Sequence, residues 1–150
     1  MALEKTLAFV KPDGMQHQVS IIQSIRNLGL EIVNQNIARV SEDFAKEFYR
    51  HVEKVSPSIY FDLWHNYITS DMVRIMELQG ENAVKRLRAL VGTTDPETAA
   101  PSTIRKKYGA DKKRIADIEQ RATRNIIHCS GNPEEAESEI KMFYDAGYLK

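Results

Sequence analysis

Short apolar runs mark four segments of the sequence as strands. The runs are rich in β-branched and aromatic residues, and turn or charged residues follow each of them, as is typical of strands buried in a sheet. They cover residues 6–10, 30–40, 72–78 and 125–129. The pattern therefore predicts four strands spread over the whole chain.

Between these runs, apolar residues recur every three or four positions, which indicates amphipathic helices. The stripes lie at residues 21–28, 44–52, 60–68 and 84–91, and a further short helix is predicted at about 111–122. Ser20 and Ser41 are suited to cap the first two helices, and Gly29 to end the first. Asn132 followed by Pro133 predicts the start of a last helix.

The order of these elements predicts the fold class. When the additional helices are set aside, the order is βαββαβ, which is typical of a ferredoxin-like α+β fold with an antiparallel four-stranded sheet and added helices. Because this fold carries many unrelated functions, the function has to be inferred from particular side chains.

Composition narrows the class of protein. A chain of 150 residues is suited to one domain, predicted over 1–150, and its 21 basic and 21 acidic residues argue against a general nucleic-acid binder. One cysteine cannot form an internal disulfide, and the sequence shows neither a secretory signal nor a membrane-spanning run. These features predict a soluble, cytoplasmic protein that binds no membrane and no specific nucleic acid.

The first candidate for chemistry is His128, at the end of the predicted strand Asn125-Ile-Ile-His-Cys-Ser130. The next helix folds the chain back towards it and places Glu139 at the edge of an apolar stripe. A carboxylate bonded to one ring nitrogen would leave the other nitrogen free as a nucleophile. The alternative is an ordinary packing histidine and a solvated glutamate.

A set of cations is the second candidate. Lys11, Arg88 and Arg105, together with the hydroxyl of Thr94, have the donor groups that phosphate oxygens accept. Neither a Walker A motif nor G-x-G-x-x-G is present, so a phosphate site would have to be built from side chains. Taken singly, each cation is as well explained as a surface charge. The other histidines share no metal-ligand spacing with His128.

Four ordered motifs together resemble the nucleoside diphosphate kinase family over nearly the whole chain. They are Ala8-Phe-Val-Lys-Pro-Asp-Gly14, Gly92-Thr-Thr-Asp-Pro96, Pro101-Ser-Thr-Ile-Arg105 and Asn125-Ile-Ile-His-Cys-Ser130. The last is similar to the family's active-site signature and keeps its N-x-x-H core. The resemblance implies transfer of the γ-phosphate of a nucleoside triphosphate to a nucleoside diphosphate in a ping-pong reaction through a phosphohistidine.

The resemblance also implies roles for individual residues. His128 would carry the phosphate. Glu139, steadied by Ser130, would orient the imidazole of His128, and Tyr49 would lie beside that imidazole. Lys11 would contact the sugar and also lie near the phosphates as part of the catalytic set, and Asn125 would contact the sugar. The other nucleotide-binding positions would be Arg88, Thr94 and Arg105 at the phosphates, and Tyr60 and Ala122 at the base. The metal would be Mg²⁺ carried by the nucleotide phosphates, with no protein ligands, and the family implies a homo-oligomer, either a hexamer or a tetramer.

The chain also departs from the family pattern. Gly131 replaces an acidic residue, Ser102 replaces a glycine, and an atypical, mostly basic insertion occupies about 106–124. On its predicted helix, Ile115 and Ile118 share a face with Ala122 and should pack against something. Two alternatives stay open on the sequence: a catalytically weak nucleotide-binding or regulatory relative of the family, and a ferredoxin-like ligand-binding module without chemistry.

Overall fold

A computed structural model describes residues 3–150 of the protein and contains one four-stranded sheet. The strands are β1 (Glu4–Val10), β2 (Glu31–Ala38), β3 (Val73–Gly80) and β4 (Ile127–Cys129). They are arranged in the order β2-β3-β1-β4, and all three neighbouring pairs are antiparallel. This is the predicted ferredoxin-like arrangement.

Helices cover both faces of the sheet. They are α1 (Gln18–Asn27), α2 (Glu42–Phe48), α3 (Arg50–Glu53), α4 (Pro57–Phe61), α5 (Ala83–Val91), α6 (Ile104–Tyr108), α7 (Lys113–Ile118) and α8 (Pro133–Asp145). A 3-10 helix at Pro12–His17 precedes α1, and a π-helix at Asp62–Tyr67 continues α4. Three of the predicted end signals are found, because Ser41 and Asn132 cap their helices and Gly29 ends α1 with a φ of 89°.

Alternation along β1 divides the core into two parts. Leu7 and Phe9 face one side of the sheet, where they pack with Phe48 and Phe143. The neighbouring side chains of β1 face the other side, where Leu87 belongs to the second cluster. Each such large apolar side chain contributes about 1.5–3 kcal/mol when it is fully buried. Both faces are therefore held firmly, and β4 is fixed at the sheet edge through β1.

Several predicted boundaries were wrong. Ser20 lies inside α1, which begins at Gln18 directly after the 3-10 helix. β3 extends to Gly80, two residues beyond the predicted strand. The stripe at 44–52, predicted as one helix, is divided into α2, which ends at Phe48, and α3, which begins at Arg50. In the first two cases an element extends further than the local pattern indicates.

The insertion forms α6 and α7, of which only the second was predicted, and α7 is shorter than expected. The predicted apolar face was also wrong, because Ile118 is 79% exposed while Ala116 is fully buried. The segment is held mainly by ion pairs. Arg114 and Lys112 contact Glu97, and Arg121 contacts Asp111. The insertion therefore lies against the loop that follows Gly92.

Candidate active site

The candidate site lies around β4, at an open edge of the sheet. His128 pairs with Phe9 of β1 in the strand register, and its ring stacks on Phe9 with centroids 4.9 Å apart. Phe48 meets the same imidazole edge on at 5.2 Å. Successive strand residues point to opposite faces, so Cys129 projects from the other side. Two aromatic contacts therefore hold the ring of His128, and the strand pairing holds its backbone.

A carboxylate and a hydroxyl complete the surroundings of the imidazole. The distance from His128 Nε2 to Glu139 Oε1 is 2.9 Å, and Ser130 Oγ donates to the same oxygen at 2.6 Å. Because an ionised carboxylate can only accept, Nε2 is the ring nitrogen that carries the proton. Within residues 3–150 no hydrogen bond involves Nδ1, so its lone pair is available to a ligand.

The protonation state of His128 follows from its burial. Desolvation lowers the pKa of His128, although the bond to Glu139 acts in the opposite direction. The nearby cations Lys11 and Arg105 lower the pKa further. The imidazole is therefore neutral near pH 7, which is the nucleophilic form.

Lys11 follows β1 directly and is almost completely buried, with 6% of its surface exposed. Its Nζ donates to Asn125 Oδ1 at 2.7 Å and lies 5.4 Å from the centre of the Tyr67 ring. Burial, and then the charge of Arg105, lowers the pKa of Lys11 to about 7. A dianionic ligand would restore the charge, because an opposite charge favours the ionised amine.

Asn125 joins Lys11 to the loop that follows α5. Besides accepting from Lys11, it donates from Nδ2 to the carbonyl of Thr94 at 3.0 Å. The Thr94 side chain is exposed. Its backbone is thus tied to the site, while its hydroxyl is available to a ligand.

The two arginines of the site differ in how they are held. Arg105 donates to the carbonyls of Asn125, Gly92 and Ile127 at 3.1, 3.1 and 2.7 Å, and burial lowers its pKa. Arg88 on α5 is exposed, and its side chain makes no hydrogen bond or ion pair within the described residues. Both line an open cleft of about 370 Å³ together with Gly92, Thr93, Thr94 and Cys129. Its cations and hydroxyls suit phosphate oxygens.

Two further candidates flank this centre. Tyr49 is buried, and its hydroxyl has no hydrogen-bond partner within residues 3–150. Burial, and then the Glu139 carboxylate, raises the pKa of Tyr49. Phe48 lies edge on to both Tyr49 and His128. Cys129 lines the cleft, but burial raises the pKa of its thiol, which does not suit it to act as a nucleophile.

The structure differs from the sequence prediction at the base end of the site. Tyr60 was predicted to offer a stacking face, but it is only 6% exposed and its hydroxyl donates to the carbonyl of Lys46. Ala122 is buried in the same apolar cluster. Ala122 is held in place by Asp62, which accepts from its backbone N–H at 3.0 Å and forms an ion pair with Arg124. This ion pair draws the end of the insertion onto the π-helix.

The sequence did not predict a hydrogen-bonded pair, Asp13 and Tyr67, that lies beneath Lys11 and Asn125 and is called the brace below. Tyr67 donates to Asp13 Oδ1 at 2.6 Å and accepts from the backbone N–H of Asn125 at 3.2 Å. Ile126 has a φ of 78°, a conformation that β-branched residues rarely adopt. The signal available in the sequence was Asp13, because an acidic residue between a buried strand and a glycine turn needs partners.

Comparison with known proteins gives the family. The family model for nucleoside diphosphate kinase matches residues 4–148. The chain belongs to the nucleoside diphosphate kinase family. As the resemblance implied, the protein is a phosphotransferase of that family, and the curated relatives carry the same name. The alternative of a catalytically weak regulatory relative finds no support among these nucleoside diphosphate kinases.

Three relatives show how far the similarity extends. The nucleoside diphosphate kinase of Archaeoglobus fulgidus is 37% identical over 145 residues, which cover 95% of this chain and 87% of the relative. A transition state mimic of the Borrelia burgdorferi enzyme with bound vanadate and ADP matches with a TM-score of 0.89 at 25% identity, covering 99% and 90% of the two chains. The Halobacterium salinarum enzyme in complex with CDP matches with a TM-score of 0.82 at 32% identity, covering 99% and 92%.

Within the described part of the chain, every helix is too short or too polar to cross a bilayer.

Proposed function

We propose that His128 carries the phosphoryl group between two nucleotides. The observation that supports this is the bond between its Nε2 and Glu139, which leaves Nδ1 as the nucleophilic nitrogen. Ser130 donates to the same carboxylate and so steadies it. A rigid strand end holds the ring in place, and rigid elements give precise sites.

The reaction then proceeds in two matching steps. The lone pair of Nδ1 attacks the γ-phosphorus of the nucleoside triphosphate, a P–N bond forms, and the bond to the bridging oxygen breaks. The nucleoside diphosphate leaves with that oxygen. Nε2 keeps its proton, and the Glu139 carboxylate stabilises the positive charge that develops on the ring. A second diphosphate attacks the phosphohistidine through its terminal oxygen and reverses the sequence.

The remaining candidates hold the nucleotide. Arg88, Arg105 and the hydroxyl of Thr94 would bind the phosphates, while Lys11 and Asn125 would contact the sugar hydroxyl. Mg²⁺ enters as part of the nucleotide substrate, because the cleft supplies cations and hydroxyls that suit phosphate oxygens and not a metal ion. Tyr49 would lie above the phosphohistidine, where its hydroxyl, unpartnered within residues 3–150, could find an acceptor.

At the base end we propose that the protein contacts the nucleotide base without distinguishing one base from another. Tyr60 and Ala122 are the family positions for the base, and Tyr60 would have to become accessible when a nucleotide binds. A stacking face accepts every base, because each base has a π-face. We therefore expect all common nucleoside diphosphates to serve as acceptors.

We also propose that the chain is one domain over 1–150 and that it assembles into a homo-oligomer, a hexamer or a tetramer. In support, β2 pairs only with β3 among the strands of residues 3–150, so one of its edges is open, and Val33 and Ile37 on it are exposed. Open strand edges that carry apolar side chains favour association. The free thiol of Cys129 is consistent with a cytoplasmic location.

Incubation with ATP labelled in the γ-phosphate tests the mechanism. We expect an acid-labile, alkali-stable phosphate on the wild-type chain and none on His128→Ala, which should still bind nucleotide. Transfer to ADP, GDP, CDP and UDP is measured in the same preparation. A His128→Ala variant that still transfers phosphate would contradict the proposal.

A further inference from the structure

The buried side chain of Tyr67 lies directly beneath two of the proposed nucleotide contacts. It is 3% exposed, and its hydroxyl accepts from the backbone N–H of Asn125 at 3.2 Å. The Lys11 amine lies over its ring at 5.4 Å. Tyr67 therefore touches both Lys11 and Asn125, although it is too deeply buried to reach a nucleotide itself.

Asp13 is the anchor of this tyrosine. One carboxylate oxygen accepts from Tyr67 Oη at 2.6 Å, and the other accepts from the backbone N–H of Ile126 at 3.2 Å. The carbonyl of Ile126 in turn accepts from the backbone N–H of Lys11 at 2.8 Å. Both carboxylate oxygens of Asp13 thus accept hydrogen bonds. One bond comes from Tyr67, which contacts Asn125, and the other from Ile126, which follows Asn125 in the chain.

The conformation of Ile126 shows why such a brace is needed. Its φ of 78° is strained for a β-branched residue and persists only where the surroundings impose it. This turn sets the direction of the Asn125 side chain relative to the strand that carries His128. Tyr67 and Asp13 accept from the backbone N–H groups of two successive residues, Asn125 and Ile126 respectively.

We propose that Asp13 and Tyr67 are positioning residues that aim Lys11 and Asn125 at the sugar hydroxyl of the nucleotide. This inference rests on the proposed roles of Lys11 and Asn125. Arg124, contributed by the insertion, lies over the Tyr67 ring at 4.4 Å and is paired with Asp62, so that the insertion closes over the brace. The brace acts through geometry, and neither positioning residue touches the nucleotide.

Tyr67→Phe is the sharpest probe, because it removes only the hydroxyl and keeps the ring against Lys11 and Arg124. The matched control is Tyr148→Phe, which also removes one tyrosine hydroxyl bonded to a backbone N–H, that of Ser41 at 2.9 Å. The reference variant is Asn125→Ala. Thermal unfolding of all three variants reports any general loss of stability.

The informative measurement compares kcat/KM for a ribonucleoside diphosphate with kcat/KM for its 2′,3′-dideoxy analogue. The analogue lacks the hydroxyl, so a defect in aiming at that group should affect only the normal acceptor. We expect the preference for the ribonucleotide to fall about three- to tenfold in Tyr67→Phe, the range expected for one hydrogen bond. It should fall at least as far in Asn125→Ala and stay unchanged in Tyr148→Phe.

Asp13→Asn gives a second, independent variant. An amide can accept from Tyr67, but its NH₂ group then faces the N–H of Ile126, donor against donor. We expect the same selective loss of preference, with the dideoxy acceptor unaffected. An unchanged preference in Tyr67→Phe and Asp13→Asn, with a lowered one in Asn125→Ala, would overturn the inference and leave the proposed function standing. An unchanged preference in Asn125→Ala would remove the sugar role itself.

Discussion

The phosphate end and the base end of the proposed nucleotide cleft are built from contacts of different range. At the phosphate end, His128 and Glu139 are 11 residues apart in the sequence, and Ser130 lies between them. At the base end, Asp62 and Ala122 meet across 60 residues. Local contacts follow from one strand, one cap and one helix, whereas the distant contact depends on how the insertion packs. The polar partners of the imidazole are therefore close to it in sequence, although its ring also packs on Phe9 of β1, whereas the binding of the base depends wholly on contacts between distant segments.

Among the residues that surround His128, the largest effect should come from neutralising Glu139. Glu139→Gln keeps the shape and an acceptor oxygen but loses the charge that stabilises the phosphorylated ring, so kcat should fall about ten- to a hundredfold. The matched control is Glu135→Gln on the same helix, whose carboxylate accepts from the backbone N–H of Gly131 and not from His128. Steady-state kinetics of both variants decide the question. Equal losses would show that helix α8 matters only as a scaffold.

Replacement of either arginine of the phosphate end should weaken nucleotide binding to a similar extent, but the two variants should differ in stability. Arg88→Ala and Arg105→Ala should each weaken nucleotide binding about tenfold, because each removes a charged phosphate donor. Only Arg105→Ala removes three hydrogen bonds to backbone carbonyls, so its free energy of unfolding should fall by about 2 kcal/mol or more. Calorimetric titration and denaturant unfolding measure the two quantities. A stable Arg105→Ala variant would contradict the structural half of this prediction.

Because of Lys11, the protein should take up protons when it binds a nucleotide. With a pKa of about 7 the amine is largely neutral at pH 8, and bound phosphates would restore its charge. Titrations at pH 8 in buffers of different ionisation enthalpy should therefore show up to about one proton taken up per nucleotide. Lys11→Met removes the effect if Lys11 is its source.

The same lysine predicts the pH dependence of stability. Its pKa is lower in the folded state than the ordinary 10.5 of an unfolded chain, so the unfolded state binds more protons between these values. The free energy of unfolding contributed by Lys11 should thus rise as the pH rises from about 7 to about 10. Denaturant unfolding of the wild type and Lys11→Met across this range measures it. Identical slopes would show that burial does not lower the pKa of Lys11.

The smallest effect is expected at the base end. Replacing residues 107–120 by a short Gly-Ser bridge removes the ion pairs that Glu97 makes with Lys112 and Arg114. Because the basic residues of the insertion are largely paired, we expect nucleotide affinity to fall only about threefold and to change little with salt. Affinity at low and high salt and the solution mass are measured together. A steep salt dependence lost in the bridged variant would show that unpaired charge on the insertion attracts nucleotides.

Particular elements show how far the sequence alone could lead. Local patterns were enough to predict the order of the main strands and helices along the chain, the caps at Ser41 and Asn132, and the meeting of His128 with Glu139. They did not predict the exposure of Ile118, because ion pairs and not an apolar face hold α7. The burial of Ala122 likewise depends on a distant contact, that of its backbone N–H with Asp62. Side chains whose surroundings come from far along the chain carry little local signal, and the base end consists mainly of these.

The strained turn at Ile126 has a consequence for laboratory evolution. A residue held at a φ of 78° is a place where glycine or asparagine would relax the backbone. Libraries selected only for heat resistance should therefore enrich such replacements at position 126. If the turn aims Asn125, the enriched clones would survive heating and yet serve poorly as enzymes. Screens that combine heat with phosphotransfer should instead keep isoleucine, so the identity of this one residue would report which property had been selected.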